Sequence, residues 1–197
     1  MQALERTHPT KPAIPGYVER REEHYIRHGT QCLTANFEVA TGRLLPPTLA
    51  ATRTEEDFAN HVLQTVAADL DGEWIFILDN LNTHNSESLV HLVAALCELE
   101  QDLGTKGRRG ILRSKATRAA FLSDPTHRIR FVYTPKHTSW LNQIELWFSI
   151  LGRRLLKRGS FTSVDDLKAS VLAFIDYFNK TMAKPFNWTY TGRALKV

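Results

Sequence analysis

Apolar and polar positions divide the chain into short strands and amphipathic helices. Residues 31–39 alternate roughly as a strand, and a turn at Gly42 leads into a second strand that Pro46 limits, so this stretch predicts a hairpin. Residues 74–78 (WIFIL) form an apolar run rich in aromatic and β-branched residues, which predicts a strand buried on both faces. A further strand is predicted over residues 130–133, and Pro135 ends it.

Helical spacing of apolar residues follows several capping signals. Thr54 and the acidic residues after it form a capping-box pattern, which predicts a helix to about Leu70. A second helix is capped by Asn85 or Ser86, and a third is expected from about 114 to 122. A last long helix follows Thr162 or Ser163. Residues 1–30, rich in proline and charge, are expected to be an extended lead-in without a core face. The fold class is therefore α/β.

Asp79 directly follows the predicted strand at 74–78. Ligand sites in α/β sheets lie at the carboxyl ends of such strands, so Asp79 is placed where a catalytic acid would be. The alternative is a turn aspartate before Asn80.

A second carboxylate, Glu145, lies in a segment that predicts a helix capped by Ser139. Helical geometry puts Glu145 on or beside the apolar stripe of this helix, which we expect to face inward. A buried carboxylate needs a partner, either an arginine in a structural ion pair or a divalent metal ion. The stripe consists of Leu141, Ile144, Phe148, Leu151 and Leu155.

Bulk properties narrow the class of protein. The 197 residues suffice for one sizeable core, and the net charge of +4 is mildly basic, which suits a polyanionic partner. Cys32 and Cys97 are far apart in sequence and form no metal-binding motif, so we expect reduced thiols in a cytoplasmic protein. No apolar run approaches membrane-spanning length.

Four motifs in order carry a family resemblance. They are residues 77–84 (ILDNLNTH), 133–135 (YTP), 139–148 (SWLNQIELWF) and 157–161 (KRGSF), and a fifth match follows at 185–189 (PFNWT). Together they resemble the catalytic domain of bacterial insertion-sequence transposases, in the mariner-related branch of the DDE superfamily. The resemblance implies an RNase H-like fold, a mixed sheet flanked by helices, in a single domain over residues 1–197.

The chemistry that this resemblance implies is metal-assisted cleavage and joining of DNA strands. Asp79 and Glu145 would be catalytic residues and ligands of Mg²⁺ or Mn²⁺, and we predict that their carboxylates approach closely enough to share a metal ion. His84 and Asn142 would support the site. Alternatively, His84 hydrogen-bonds a loop, and Asn142 is an ordinary polar residue at the start of a helix.

The chain departs from the family pattern at its start. The family's first Asp usually lies on an opening strand, shortly before a segment that resembles residues 2–7, whereas this chain starts at Met1. We therefore expect the first strand, its Asp and an N-terminal DNA-recognition region to be missing, and catalysis to be impaired. The alternatives are a non-catalytic DNA-binding remnant of a transposase and another RNase H-like nuclease.

Clusters of cations suggest where DNA binds. A segment at about 98–126 is longer than the family pattern requires, and we interpret it as a basic insertion. Its cations either neutralise DNA phosphates or belong to a solvated loop. A second cluster follows the Glu145 helix, and a homodimer is a candidate assembly. The proposed DNA-binding residues are Arg108, Arg109, Arg153, Arg154, Lys157 and Arg158.

Overall fold

The computed structural model describes residues 1–20, 23–135 and 142–187. The strands are β1 (Gln2–Arg6), β2 (Tyr25–Thr30), β3 (Cys32–Thr34), β4 (Phe37–Glu38), β5 (Arg43–Leu44), β6 (Thr48–Ala50), β7 (Trp74–Leu78) and β8 (Ile129–Tyr133). The α-helices are α1 (Glu55–Val66), α2 (Glu87–Leu96), α3 (Lys115–Leu122), α4 (Gln143–Leu151) and α5 (Val164–Thr181). Short 3₁₀ turns span Asn82–Asn85 and Ile111–Arg113, and a π-helical turn, Gly152–Leu156, continues α4. The described chain is therefore mixed α/β.

The described strands form pairs. Three pairs are antiparallel, β1 with β2, β3 with β6 and β4 with β5, while β7 and β8 are parallel. Parallel pairing places Leu78 opposite Tyr133, so both strands end at the same edge. The N–H of Thr134 donates to the carbonyl of Leu78 at 2.8 Å. The segment after β8 therefore starts beside Asp79.

Two expectations for the first fifty residues need correction. Residues 1–30 are more than a lead-in, because β1 and β2 pair as antiparallel strands and Ala3 is fully buried. The hairpin is confirmed for β4 and β5, but β3 pairs instead with β6, which the sequence did not predict. These pairings join strands across intervening residues, so local alternation does not specify them.

One core lies between the β7–β8 sheet and the helices α1, α2 and α3. Phe76 of β7 stacks on Phe131 of β8 with their ring centroids 5.2 Å apart, and both side chains are buried. From the helices this cluster includes Val62, Val66, Leu89, Val90, Val93, Phe121 and Leu122. These helices cover one face of the sheet.

The opposite face of this sheet is exposed. Ile75 is 53%, Ile77 46% and Val132 49% exposed, whereas their strand neighbours Phe76 and Leu78 are buried. The prediction of a strand buried on both faces is therefore wrong. In the described part of the chain β8 is the strand that pairs with β7, and this narrow sheet carries helices on one side.

A second core joins α4 and α5 to strands β1 and β5. Trp147 is 1% exposed and lies edge-on to Phe178, with ring centroids 6.2 Å apart. Buried members from α4 and α5 are Trp147, Leu151, Leu167, Val171, Ile175 and Phe178, and Phe161 lies between these helices. Phe148, which the sequence analysis assigned to the inward face, is 37% exposed. The large indole of Trp147 occupies the core in place of Phe148, whereas Leu151 is buried as predicted and Ile144 and Leu155 pack against the same core.

Helix starts follow the capping signals. Thr54, Ser86, Ser114 and Ser163 each accept a backbone N–H with their side chain at the start of their helices. Helix α1 ends at Val66, four residues before the expected end. None of the described helices is long and apolar enough to cross a membrane.

Candidate active site

Asp79 directly follows β7, and one of its two carboxylate oxygens has hydrogen-bond partners. Its Oδ1 accepts the N–H of Leu81 at 3.1 Å and lies 2.7 Å from Nδ1 of His84. Within the described residues, Oδ2 has no hydrogen-bond partner. The loop thus fixes the orientation of the carboxylate and leaves one oxygen available to a ligand.

His84 is held from several sides. Its Nδ1 faces Oδ1 of Asp79 and, at 3.3 Å, the Asp79 carbonyl oxygen, so Nδ1 carries the proton when Asp79 is ionised. The ring packs against Phe58 with centroids 4.4 Å apart. Tyr133 donates its hydroxyl to the His84 carbonyl at 2.8 Å, and burial raises the pKa of Tyr133, which keeps it a donor. The contacts of His84 therefore fit both predicted roles, because its ring contacts the loop backbone as well as the Asp79 carboxylate.

The same loop is fastened to the end of β8. Asn80 donates through Nδ2 to the carbonyl of Thr134 at 2.6 Å. The segment that leads toward Glu145 thus starts in contact with the loop that carries Asp79. Ser139, Leu141 and the rest of residues 136–141 lie outside the described residues.

Glu145 differs from its expectation. It lies in the first turn of α4, where the dipole of the helix favours a carboxylate, and its side chain is exposed. The expected burial beside the apolar stripe is wrong, because the side chain of Trp147 turns inward instead. Asn142 caps this helix by accepting the N–H of Ile144 at 3.4 Å, so the described cap is Asn142. Among the described residues no arginine pairs with Glu145.

All four predicted site residues, Asp79, His84, Asn142 and Glu145, line one cavity of about 930 Å³. Asp79 and His84 are in contact, but Glu145 does not form a three-residue metal-binding cluster with them in the described structure. All five residues of β7 line the cavity as well. Oxygen ligands such as these two carboxylates fit Mg²⁺ or Mn²⁺, and Mg²⁺ commonly takes one or two carboxylates and keeps several waters. No cluster of three metal-binding side chains occurs within the described residues.

The cations of the insertion are partly neutralised by acidic neighbours. Arg109 lies 2.5 Å from Asp102, and Lys106 bonds Glu55 of α1 at 3.1 Å and Glu87 of α2 at 3.2 Å. Arg108 is exposed. The ion pairs of Lys106 thus connect the insertion to α1 and α2, two helices of the first core.

The second cationic cluster continues α4. Arg153, Arg154, Lys157 and Arg158 are all exposed, and Arg153 donates to the hydroxyl of Ser149 at 2.6 Å. None of the six cations predicted to bind DNA lines the cavity of the two carboxylates, judged over the described residues.

Sequence reasoning missed two cations near the carboxylates. Arg53 lines the cavity, and Lys115 bonds the loop after Asp79, with Nζ 2.6 Å from the carbonyl oxygen of Asn80. The available signals were positional, because Arg53 directly precedes the Thr54 cap and Lys115 directly follows the Ser114 cap. Neither position has a motif of its own.

Comparison with known proteins supplies the family. A family profile described as DDE superfamily endonuclease matches residues 3–168, which is most of the chain and includes both carboxylates. A search of curated proteins and a search of solved structures each gave no match. The strand that presents Asp79 and the helix that presents Glu145 both lie inside the matched range. The chain belongs to the DDE superfamily endonuclease family.

Proposed function

We propose that this protein is the catalytic domain of a transposase, which cuts DNA strands and joins them to a target with the help of Mg²⁺ or Mn²⁺. The observation that carries the proposal is that Asp79 and Glu145 line one cavity within a chain of the DDE superfamily. The proposal includes an RNase H-like arrangement over a single domain at residues 1–197. A bacterial insertion sequence related to mariner elements is the proposed source of this domain.

Each site residue has a proposed role. Asp79 and Glu145 hold the metal ions through their carboxylates, with Oδ2 of Asp79 directed to the ligand because Oδ1 is already engaged. When bound, divalent cations activate a water or a 3′-hydroxyl and stabilise the leaving oxygen. His84 orients the Asp79 carboxylate through the 2.7 Å contact, and Asn142 fixes the first turn that carries Glu145.

We also propose that this protein catalyses the reaction more slowly than a site with three carboxylates would. DDE chemistry uses three carboxylates, and this proposal names two, Asp79 and Glu145. A site with two carboxylates binds metal ions more weakly and stabilises less charge in the transition state. We expect slow nicking that requires millimolar Mn²⁺ or Mg²⁺.

DNA is the proposed partner, and exposed cations are its proposed contacts. Arg108, Arg154 and Arg158 are exposed, and Arg53 faces the cavity directly. Neutralising DNA phosphates gives affinity that is independent of sequence and falls with salt. Assembly as a homodimer on two DNA ends is part of the same proposal. Cys32 and Cys97 are free thiols, which supports a cytoplasmic location.

Nicking of supercoiled DNA tests the proposal. The wild type is compared with Asp79→Asn, Glu145→Gln and the matched control Asp71→Asn, an exposed aspartate in the turn before β7. We expect metal-dependent nicking that the first two substitutions reduce at least about a hundredfold and that the control preserves. Equal nicking by all four proteins would show that neither Asp79 nor Glu145 takes part in cleavage.

A second candidate function rests on the same exposed cations. A chain that binds DNA without cutting it would be a binding remnant of a transposase. It would show salt-dependent DNA binding that neither metal ions nor Asp79→Asn changes, together with no nicking at any metal concentration.

A further inference from the structure

Lys115 connects the insertion to the loop that follows Asp79. Its Nζ donates to the carbonyl oxygen of Asn80 at 2.6 Å and to Oδ1 of Asn82 at 3.2 Å. Hydrogen bonds from an ammonium group are stronger than those between neutral groups. The backbone directly after Asp79 is therefore anchored to helix α3.

The position of Lys115 is unfavourable for the helix itself. Lys115 is the first residue of α3, after the Ser114 cap, and the first turn of this helix contains no acidic residue. The amino-terminal end of a helix carries partial positive charge, which repels a lysine there and favours aspartate or glutamate. Since Lys115 is also exposed, neither helix stability nor core packing accounts for it. The hydrogen bonds from Lys115 to the loop account for its position instead.

These contacts complete a frame around Asp79. On the amino-terminal side, Leu78 is paired with β8 in the sheet. On the other side, Asn80 is held twice, through its carbonyl by Lys115 and through its side chain by the carbonyl of Thr134. The backbone of Asp79 is thus fixed at both neighbours, while Leu81 and His84 fix its carboxylate.

Arg118 strengthens the same attachment one helical turn later. Its Nε donates to the carbonyl of Asn85 at 2.7 Å, and its guanidinium also bonds the carbonyl of Leu112 at 3.1 Å. Lys115 and Arg118 lie three residues apart, on one face of α3. This face therefore holds the loop at both of its ends, near Asn80 and at Asn85.

We propose that Lys115 is a positioning residue for Asp79, and that helix α3 of the basic insertion braces the metal-binding loop. The inference rests on the proposed function, because it gives Lys115 a role through a carboxylate that holds a metal ion. Groups that orient a metal ligand typically change metal affinity by tenfold or more when they are lost. Lys115 acts here through backbone geometry and not by contact with DNA.

The test uses Lys115→Met, which removes the ammonium and keeps a long apolar side chain, in the full chain. Lys106→Met is the matched control, because Lys106 lies in the same insertion and bonds Glu55 and Glu87, and in the described structure it makes no hydrogen bond to residues 80–85. Lys115→Arg keeps the charge and the donors. Three quantities are measured: amide hydrogen exchange over residues 80–85 without metal, the Mn²⁺ dissociation constant, and metal-free DNA affinity.

The proposal predicts a specific combination of results. Lys115→Met speeds exchange over residues 80–85 and raises the Mn²⁺ dissociation constant about tenfold, while DNA affinity stays within about twofold. Lys115→Arg restores Mn²⁺ affinity to within about threefold of the wild type, and Lys106→Met changes neither quantity. Asn82→Ala, which removes one acceptor and leaves Lys115 in place, weakens Mn²⁺ binding by a smaller factor.

Other results overturn it. If Asp79→Asn loses Mn²⁺ binding while Lys115→Met keeps it, Lys115 does not position Asp79. A fall in DNA affinity and in its salt dependence, with Mn²⁺ affinity unchanged, makes Lys115 a phosphate contact instead. If wild type and Asp79→Asn bind Mn²⁺ equally, the proposed function fails on its own, and hydrogen exchange over residues 80–85 still decides whether Lys115 holds the loop.

Discussion

His61 is a fully buried histidine in α1, with Nδ1 2.8 Å from the hydroxyl of Thr48 and Nε2 without a partner among the described residues. Burial lowers its pKa from 6.5 to about 4, because the charged imidazolium loses its hydration. The unfolded chain therefore binds a proton that the folded chain does not, between those two pH values. The neutral form of His61 is part of the folded state.

Stability is expected to fall on acidification because of His61. Its contribution is fully present above about pH 6.5 and is lost as the pH drops toward 4, with a maximum of roughly 3 kcal/mol. Urea unfolding at pH 7 and pH 4.5 measures this. His61→Gln keeps a partner for Thr48 and should show a smaller loss of unfolding free energy between the two pH values.

The control for this prediction is His91→Gln, since His91 is exposed on α2. It should retain the wild-type difference in unfolding free energy between pH 7 and pH 4.5. An unchanged difference in His61→Gln would show that other groups cause the acid sensitivity.

Strand β7 packs on the first core with one face and is exposed on the other. Leu78 packs in the first core and is 9% exposed, whereas Ile77 lies on the opposite face of the strand and is 46% exposed. Leu78→Ala should lower the unfolding free energy by about 2–4 kcal/mol, and Ile77→Ala by about 1 kcal/mol or less. Denaturant unfolding of the two variants measures the contrast.

Equal losses in these two variants would contradict the one-sided burial of β7. The comparison is well matched, because both substitutions remove a four-carbon side chain from adjacent positions of one strand and leave alanine. A large loss at Ile77 would mean that another part of the protein covers the exposed face of β7.

Elements determined by local sequence were predictable. Strand β7 has the predicted bounds, and the Thr54 capping box forms as expected because its bonds connect residues three apart. The pairing of β1 with β2 and of β3 with β6 was not predictable from local patterns, because it joins distant residues. The exposure of Ile77 likewise depends on how many strands the sheet has.

The placement of a candidate site residue was predictable where one local rule applied. Asp79 lies at the end of β7, as the rule for strand ends predicts, and the structure adds its contact with His84. The prediction that Glu145 is buried was wrong. Helix α4 has two adjacent aromatic residues, and the core contains Trp147 instead of Phe148. Lys115 needed the tertiary structure, because its acceptors lie more than thirty residues earlier in the chain.

The protein has a net charge of +4, and its DNA affinity should depend on the positions of its exposed cations as well as on this total. Arg153 and Arg154 are exposed after α4, and replacing both with glutamine removes two proposed phosphate contacts. The slope of log affinity against log salt concentration should become shallower by about 2. Fluorescence anisotropy with a labelled duplex at several salt concentrations measures the slope.

The matched control removes two charges elsewhere. Lys168 and Lys180 are exposed on α5, and their double replacement with glutamine changes the net charge equally. This control should keep the wild-type slope. If both double variants lower the slope alike, DNA binding reflects net charge, and the cluster after α4 has no special part in it.

The central claim is that Asp79 and Glu145 hold the same metal ion across one cavity. Electron paramagnetic resonance of free Mn²⁺ gives the dissociation constant for the wild type, Asp79→Asn, Glu145→Gln and the double variant. The account predicts one bound Mn²⁺ whose dissociation constant each single substitution raises at least about tenfold and the double variant raises further, because the same ion then loses both carboxylate ligands. If each single substitution removes one of two bound Mn²⁺ ions and leaves the affinity of the other unchanged, or if neither substitution affects Mn²⁺ binding, the shared site is contradicted.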